Sequence, residues 1–178
     1  YKLIDLFREL AVGVAELLGS LGSVSILLVV LVGLVLARIL VLVGTNDSDG
    51  ENLPDIMRAV AKRGGSIPSF PVVVKTVASA MAIGTGGAVG AEGPVAVAGS
   101  ALGSKFGRIF RSGPSRLKVL VACGAAAGIS AAFNAPIGGV FFSLEKVVGN
   151  FGVASFPPVL VASVISAVIA RAAFGNSP

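Results

Sequence analysis

Glu92 stands inside the run Gly84 to Pro94, after a break carrying Gly84, Gly86, Gly87 and Gly90, with Gly93 and Pro94 behind it and apolar sequence on both sides. On insertion scales an ionised side chain at the bilayer centre costs roughly 2.5 to 3.5 kcal/mol, so an acid in such a place marks a proton or ion pathway. No lysine or arginine lies between Lys75 and Lys105 to neutralise it. Pro54, Pro94 and Pro136 each mark a helix start, because proline suits a first turn where its missing amide has no partner anyway. A helix that begins in mid-membrane directs unpaired N–H groups and the positive end of its dipole at whatever precedes it. Such ends bind anions. The residues therefore predict a small anion held by backbone amides, with the Glu92 carboxylate competing for the same place.

Other chemistries lack their parts. The chain has no histidine and a single cysteine, Cys123, which leaves no internal disulfide and none of the usual nitrogen and sulfur metal sites. No metal and no cofactor is expected. A hydrolase would need a base, a paired acid and an activated nucleophile, and a phosphate loop is absent from the sequence, so no enzymatic activity is expected. A membrane scaffold, whose glycine breaks serve packing alone, is the contrasting reading; it gains nothing from an unpaired acid at Glu92.

Composition says what solvent surrounds these residues. With 54% hydrophobic and only 13% charged residues, the chain is poorer in charge than the quarter or so typical of soluble domains. It reads as an all-α, multi-pass integral membrane protein, and its net charge of +5 bears on topology, not on nucleic acid. The start of the chain is amphipathic and shows no secretory cleavage pattern.

The elements that must position Glu92 follow from length and punctuation. Val24 to Val43, interrupted only by Arg38, is the one ordinary spanning helix. Residues 3–19, with Asp5, Arg8, Glu9 and Glu16, read as a helix leaving the bilayer obliquely, and residues 45–50 as an acidic turn. A short helix runs from Pro54 to Arg63 and stops at Gly64 and Gly65. Pro71 to Ile83 is too short to cross a bilayer of about 30 Å and is stopped midway by the glycines that follow. Its partner restarts at Gly93 and Pro94 and runs to Ile109, so the two form a re-entrant hairpin of broken helices. Arg116 to Ala132 is a further apolar helix ending at the break Phe133 to Pro136. Ile137 to Val148 returns with Glu145 and Lys146 near its end, and Pro157 to Ala173 closes the chain. Interrupted helices at membrane depth line cavities in transporters.

Two basic clusters, Arg58, Lys62, Arg63 and Lys75, then Lys105, Arg108, Arg111, Arg116 and Lys118, assign one face to the cytoplasm. The helix from Pro71 then runs outward, that from Pro94 inward and the next outward again, and Lys146 lies back on the cytoplasmic side. Gly99, Gly103 and Gly107, and likewise Gly124 and Gly128, recur every four residues, which predicts close helix packing.

Laid out in this way, the chain resembles the CLC family of chloride channels and chloride/proton antiporters. Gly90, Ala91, Glu92, Gly93 and Pro94 are similar to the family's Gly-Arg/Lys-Glu-Gly-Pro motif. Gly124 to Gly128, followed by Ala131 to Pro136, resembles the stretch that comes next, and Gly50, Glu51, Asn52, Leu53 and Pro54 fall where the family has Gly-Ser-Gly-Ile-Pro. The resemblance implies that Glu92 gates the pathway, occupying an anion site when ionised and leaving it when protonated or displaced by chloride, and that in an antiporter it also carries the proton. It implies anion contacts from Gly90, Ala91, Gly93 and Pro94, and from Gly50, Glu51, Asn52 and Leu53. It further implies a homodimer in the cell membrane, plasma or inner, with the helices from Ile137 and Pro157 at the interface. Chloride, protons and the lipid bilayer are its expected partners. The chain corresponds to one half of the inverted-repeat fold, residues 1–178 forming the membrane domain of the first repeat, and reads as a fragment of a longer protein.

Three positions depart from the family pattern. Ala91 replaces the usual basic residue. Glu51 stands at the inner serine and Asn52 at the second glycine; Glu51 is either protonated, or turned away while amides hold the anion, or displaced from the motif by the acidic loop, or a cap on the helix at Pro54. The inner proton glutamate of the antiporters falls on Lys146, beside Glu145, where a lysine either titrates or caps a helix end. That favours an uncoupled, voltage- or proton-gated chloride channel as the alternative to an antiporter.

Overall fold

The computed structural model describes residues 2–17, 23–45, 53–62, 64–149, 152 and 154–175. Among them the chain is all helical: α1 (Lys2–Leu17), α2 (Ser23–Gly44), α3 (Leu53–Lys62), α4 (Ser69–Gly84), α5 (Glu92–Ile109), α6 (Pro114–Phe133), α7 (Pro136–Ser143) and α8 (Phe156–Phe174). A π-helical turn, Leu144–Val148, continues α7. Every helix expected from the sequence is present within a few residues of its expected ends. One expectation is corrected: among the described residues three stretches, not one, are long and apolar enough to cross a membrane, namely Leu27–Gly44, Pro114–Phe133 and Phe156–Phe174. Alanine and glycine dilute the apolar signal of the latter two without shortening them.

The chain divides into two compact units, residues 1–49 with 73–91, and residues 50–72 with 92–178. In the first, α2 and α4 run antiparallel on small residues. A Cβ on Gly44 would come within 2.6 Å of Val74, and one on Gly33 within 2.3 Å of Thr85. Between these points Ala37 is buried with Ala78 and Ala82. Helix α4 ends because Gly86 takes φ 94 and Gly87 N–H bonds back to the Ala82 carbonyl at 2.8 Å. A left-handed glycine ends a helix at little steric cost. The ending lies beside Gly33, near the middle of α2, so α4 stops about halfway along its spanning neighbour. That is the broken helix expected from its glycines.

The second unit is built on two seams. Along the first, α5 and α6 are antiparallel and touch backbone to backbone. A Cβ on Gly99 would stand 2.2 Å from the Gly124 carbonyl oxygen, one on Gly103 2.1 Å from that of Leu120, and one on Gly128 2.8 Å from that of Val95. The four-residue glycine spacing is therefore a packing stripe. Along the second seam, serine hydroxyls cross between helices. Ser130 donates to the Ser163 carbonyl at 2.7 Å, Ser163 to that of Pro136 at 2.7 Å, Ser166 to that of Ala127 at 2.8 Å and Ser143 to that of Ala122 at 2.6 Å. Val159, early in α8, shares a buried cluster with Ala122 and Ala126, whereas Arg171, late in α8, meets Asn134 just after α6. Helices α6 and α8 therefore run in the same direction.

Helix α3 buries Ile56, Ala59 and Val60 in a core shared with Val97, Val121 and Val147. It stops where expected, with Gly64 and Gly65 at φ 62 and 89 and Gly65 N–H bonded to the Ala59 carbonyl at 2.9 Å. The loop after it is tied to α5. Ser104 donates to the Gly65 carbonyl at 2.8 Å and accepts from Ile67 N–H at 3.0 Å, while Arg108 donates to the Ile67 carbonyl at 3.1 Å.

Candidate anion and proton site

Glu92 is the first residue of α5 and is exposed, followed within its first turn by Gly93 and Pro94. Among the described residues it has no ion-pair partner. A Cβ on Gly93 would meet nothing within 4 Å, so no contact made by this chain requires glycine there. Glu92, Gly93 and Pro94 belong to the second unit, and Gly90 and Ala91, which precede them, to the first.

The antiparallel register fixes the level of this helix start. Val95 stands against Gly128, so Glu92, nearly one turn earlier in α5, is level with the last turn of α6. Immediately beyond that turn the chain breaks. Asn134 adopts φ 52 and ψ 34, and α7 begins at Pro136 with no side chain capping its first amides. Two helix starts, those of α5 and α7, are thus gathered at one end of the unit, each with a proline in its first turn. Each offers N–H groups without intrahelical partners and a positive dipole end, the elements of an anion site.

One residue at this end was not foreseen. Arg171, in the last turn of α8, donates its Nε–H to the Asn134 side-chain oxygen. The bond fixes the left-handed residue that separates α6 from α7 and brings a guanidinium to the end of the unit that carries both helix starts. Its sequence signal is slight: one cation at the end of an apolar helix, ordinarily read as a complement to the helix dipole.

Of the other expected contacts, Leu53 opens α3 with Pro54 behind it. Gly50, Glu51 and Asn52 lie outside the described residues. Glu145 and Lys146 occupy the π-helical turn, both more than half or about half exposed, and pair with each other at 2.8 Å. Single π turns inside helices recur at functional sites. Here the extra residue per turn leaves Leu144 and Val147 buried and turns the charged pair outward.

The family model for voltage gated chloride channels matches residues 17–178. A ClcB-like protein of Ralstonia nicotianae is 37% identical over 125 residues, which cover 68% of this chain and 29% of that protein. The voltage-gated ClC-type chloride channel ClcB of Yersinia pestis is 34% identical over 110 residues, 62% of this chain and 26% of that protein. Chloride channel protein CLC-f of Arabidopsis thaliana is 34% identical over 109 residues, 58% of this chain and 14% of that protein. The matched segment thus spans less than a third of the length of these relatives.

Proposed function

The chain belongs to the voltage gated chloride channel family, and we propose that it forms the first repeat of a membrane protein that moves chloride, with Glu92 as the gate and the proton carrier. The observation that carries this reading is an acid with no ion-pair partner among the described residues at the head of α5, level with a second helix start at Pro136. Ionised, the carboxylate competes with chloride for the same amides and the same positive dipole ends. Protonated, it loses that attraction and swings away, and chloride takes its place. One group that is by turns a substitute anion and a proton carrier couples the two movements with no other moving part. Gly90, Ala91, Gly93 and Pro94 keep the backbone near the anion bare of bulky side chains; Gly50, Glu51, Asn52 and Leu53 are assigned to the inner end of the path. The working protein is a homodimer in the cell membrane, joined through the apolar outer faces of α7 and α8.

The alternative, an uncoupled chloride channel, is favoured by the inner end. There Lys146 stands where a proton-handling carboxylate is needed, and it neutralises Glu145 at 2.8 Å.

The test is chloride efflux from liposomes holding the full-length protein, with external pH recorded at the same time, for the native form and Glu92→Gln. Antiport predicts protons moving inward as chloride leaves, and the substitution removing the proton movement alone. Chloride efflux with no proton movement in either form supports the channel and removes the coupling role from Glu92. A protein that moves no chloride in either form is a scaffold.

A further inference from the structure

The cations of the second unit do different things. Arg108 is engaged by the loop carbonyl of Ile67. Lys62, in the last turn of α3, and Lys118, near the start of α6, come from distant parts of the sequence yet line one cleft of about 540 Å³ together with Arg58, over a floor that includes Val60, Val147 and Val148. Among the described residues no carboxylate lines it. We propose that this cleft holds the phosphate of an anionic phospholipid headgroup, with the glycerol and first acyl carbons resting against Met57 and Val148.

Three independent features support a lipid over a free anion. The first is position: α6 is a candidate span, and Lys118 lies close enough to its first residue for the long side chain to reach the headgroup layer that flanks the hydrocarbon. The second is the character of α3, a short helix whose Ile56, Ala59 and Val60 pack into the protein core while Arg58 and Lys62 stay exposed, so that the charged side is the one turned to the cleft. The third is the mixed lining. A free phosphate would use the cations and leave the apolar floor wet, whereas a lipid satisfies both. The basic clusters place this end on the cytoplasmic side, whose leaflet attracts polybasic surfaces through its anionic lipids. The inference rests on the membrane location of the chain and is independent of whether chloride is the cargo.

The experiment uses the full-length protein in neutral detergent and phosphatidylglycerol with a fluorescent acyl chain, displaced in turn by unlabelled phosphatidylglycerol, phosphatidylcholine and inorganic phosphate. Phosphatidylglycerol should displace the probe and phosphatidylcholine should not. Lys62→Gln and Lys118→Gln should each weaken binding roughly five-fold, Lys118→Arg should retain it, and Lys105→Gln, an exposed cation outside the cleft, should leave it unchanged. Displacement by inorganic phosphate as effective as by the lipid overturns the proposal in favour of a free-anion site. An equal loss in Lys105→Gln overturns it in favour of diffuse surface charge. Failure of the native protein to bind the probe overturns it as well.

Discussion

Glu92 and Glu145, both in the second unit, differ less in exposure than in company. Glu145 lies against Lys146 at 2.8 Å on a π-helical turn, while Glu92 heads α5 with no ion-pair partner among the described residues. The paired acid carries no net charge with its neighbour and attracts no ion of its own. The acid at the helix start faces amide dipoles and, among the described residues, no cation, and such dipoles favour any small anion in the same way. If Glu92 is the gate proposed above, what distinguishes it from a surface charge is the absence of a dedicated counter-charge among the described residues.

That contrast can be broken first through the seam that positions α5. Gly99→Val would drive a side chain into the Gly124 carbonyl, where even a Cβ would stand at 2.2 Å. Backbone on the far side cannot yield, so the cost should reach or exceed the roughly 1–3 kcal/mol usual for overpacking. The folded yield in detergent should collapse and chloride efflux with it; normal efflux from this variant would mean that the α5–α6 register does not position the site. Next in size is Glu92→Gln, which should abolish proton movement while chloride still flows. Lys146→Glu sharpens the comparison from the other end. Replacing the cation by an acid breaks the neutral pair, and an uncoupled protein should then acquire measurable proton movement during chloride efflux; no change would show that the inner turn handles no protons. The smallest effect should come from Ser163→Ala, which removes one bond of 2.7 Å to the Pro136 carbonyl. Interhelical hydrogen bonds in membranes average about 0.6 kcal/mol, so a slight fall in thermal unfolding temperature with unchanged efflux is expected.

Much of this was legible because glycine and proline act locally. Pro54, Pro94 and Pro136 announced three helix starts, Gly64 and Gly65 an ending, and the stripe through Gly99 and Gly103 its partner through Gly124 and Gly128. Glu92 drew notice as a charge in a place where charge is expensive, and its role is the proposal made above. What remained hidden depends on distant partners or on backbone register. Arg171 acquires meaning only beside Asn134, and the four crossing serines only beside the carbonyls they meet, residues that lie far off in sequence. The π turn at Leu144–Val148 has no mark in composition at all, since one residue gained per turn leaves the apolar pattern looking helical. The spanning character of α6 was understated because small residues both lower its apparent hydrophobicity and allow its close packing.

The glycine seam has one more consequence, for motion. Side chains that interdigitate can hop between rotamers and let two helices shift, but a contact of backbone on backbone holds no rotamers to exchange. Helix α5 is seated on α6 like a rod in a fitted channel, without sideways play. A group at its head must then move by turning about its own side-chain bonds, an event of picoseconds to nanoseconds when exposed, whereas swinging whole helices takes microseconds to milliseconds. The opening of such a gate would be limited by the arrival of an ion or a proton, with the surrounding scaffold standing still.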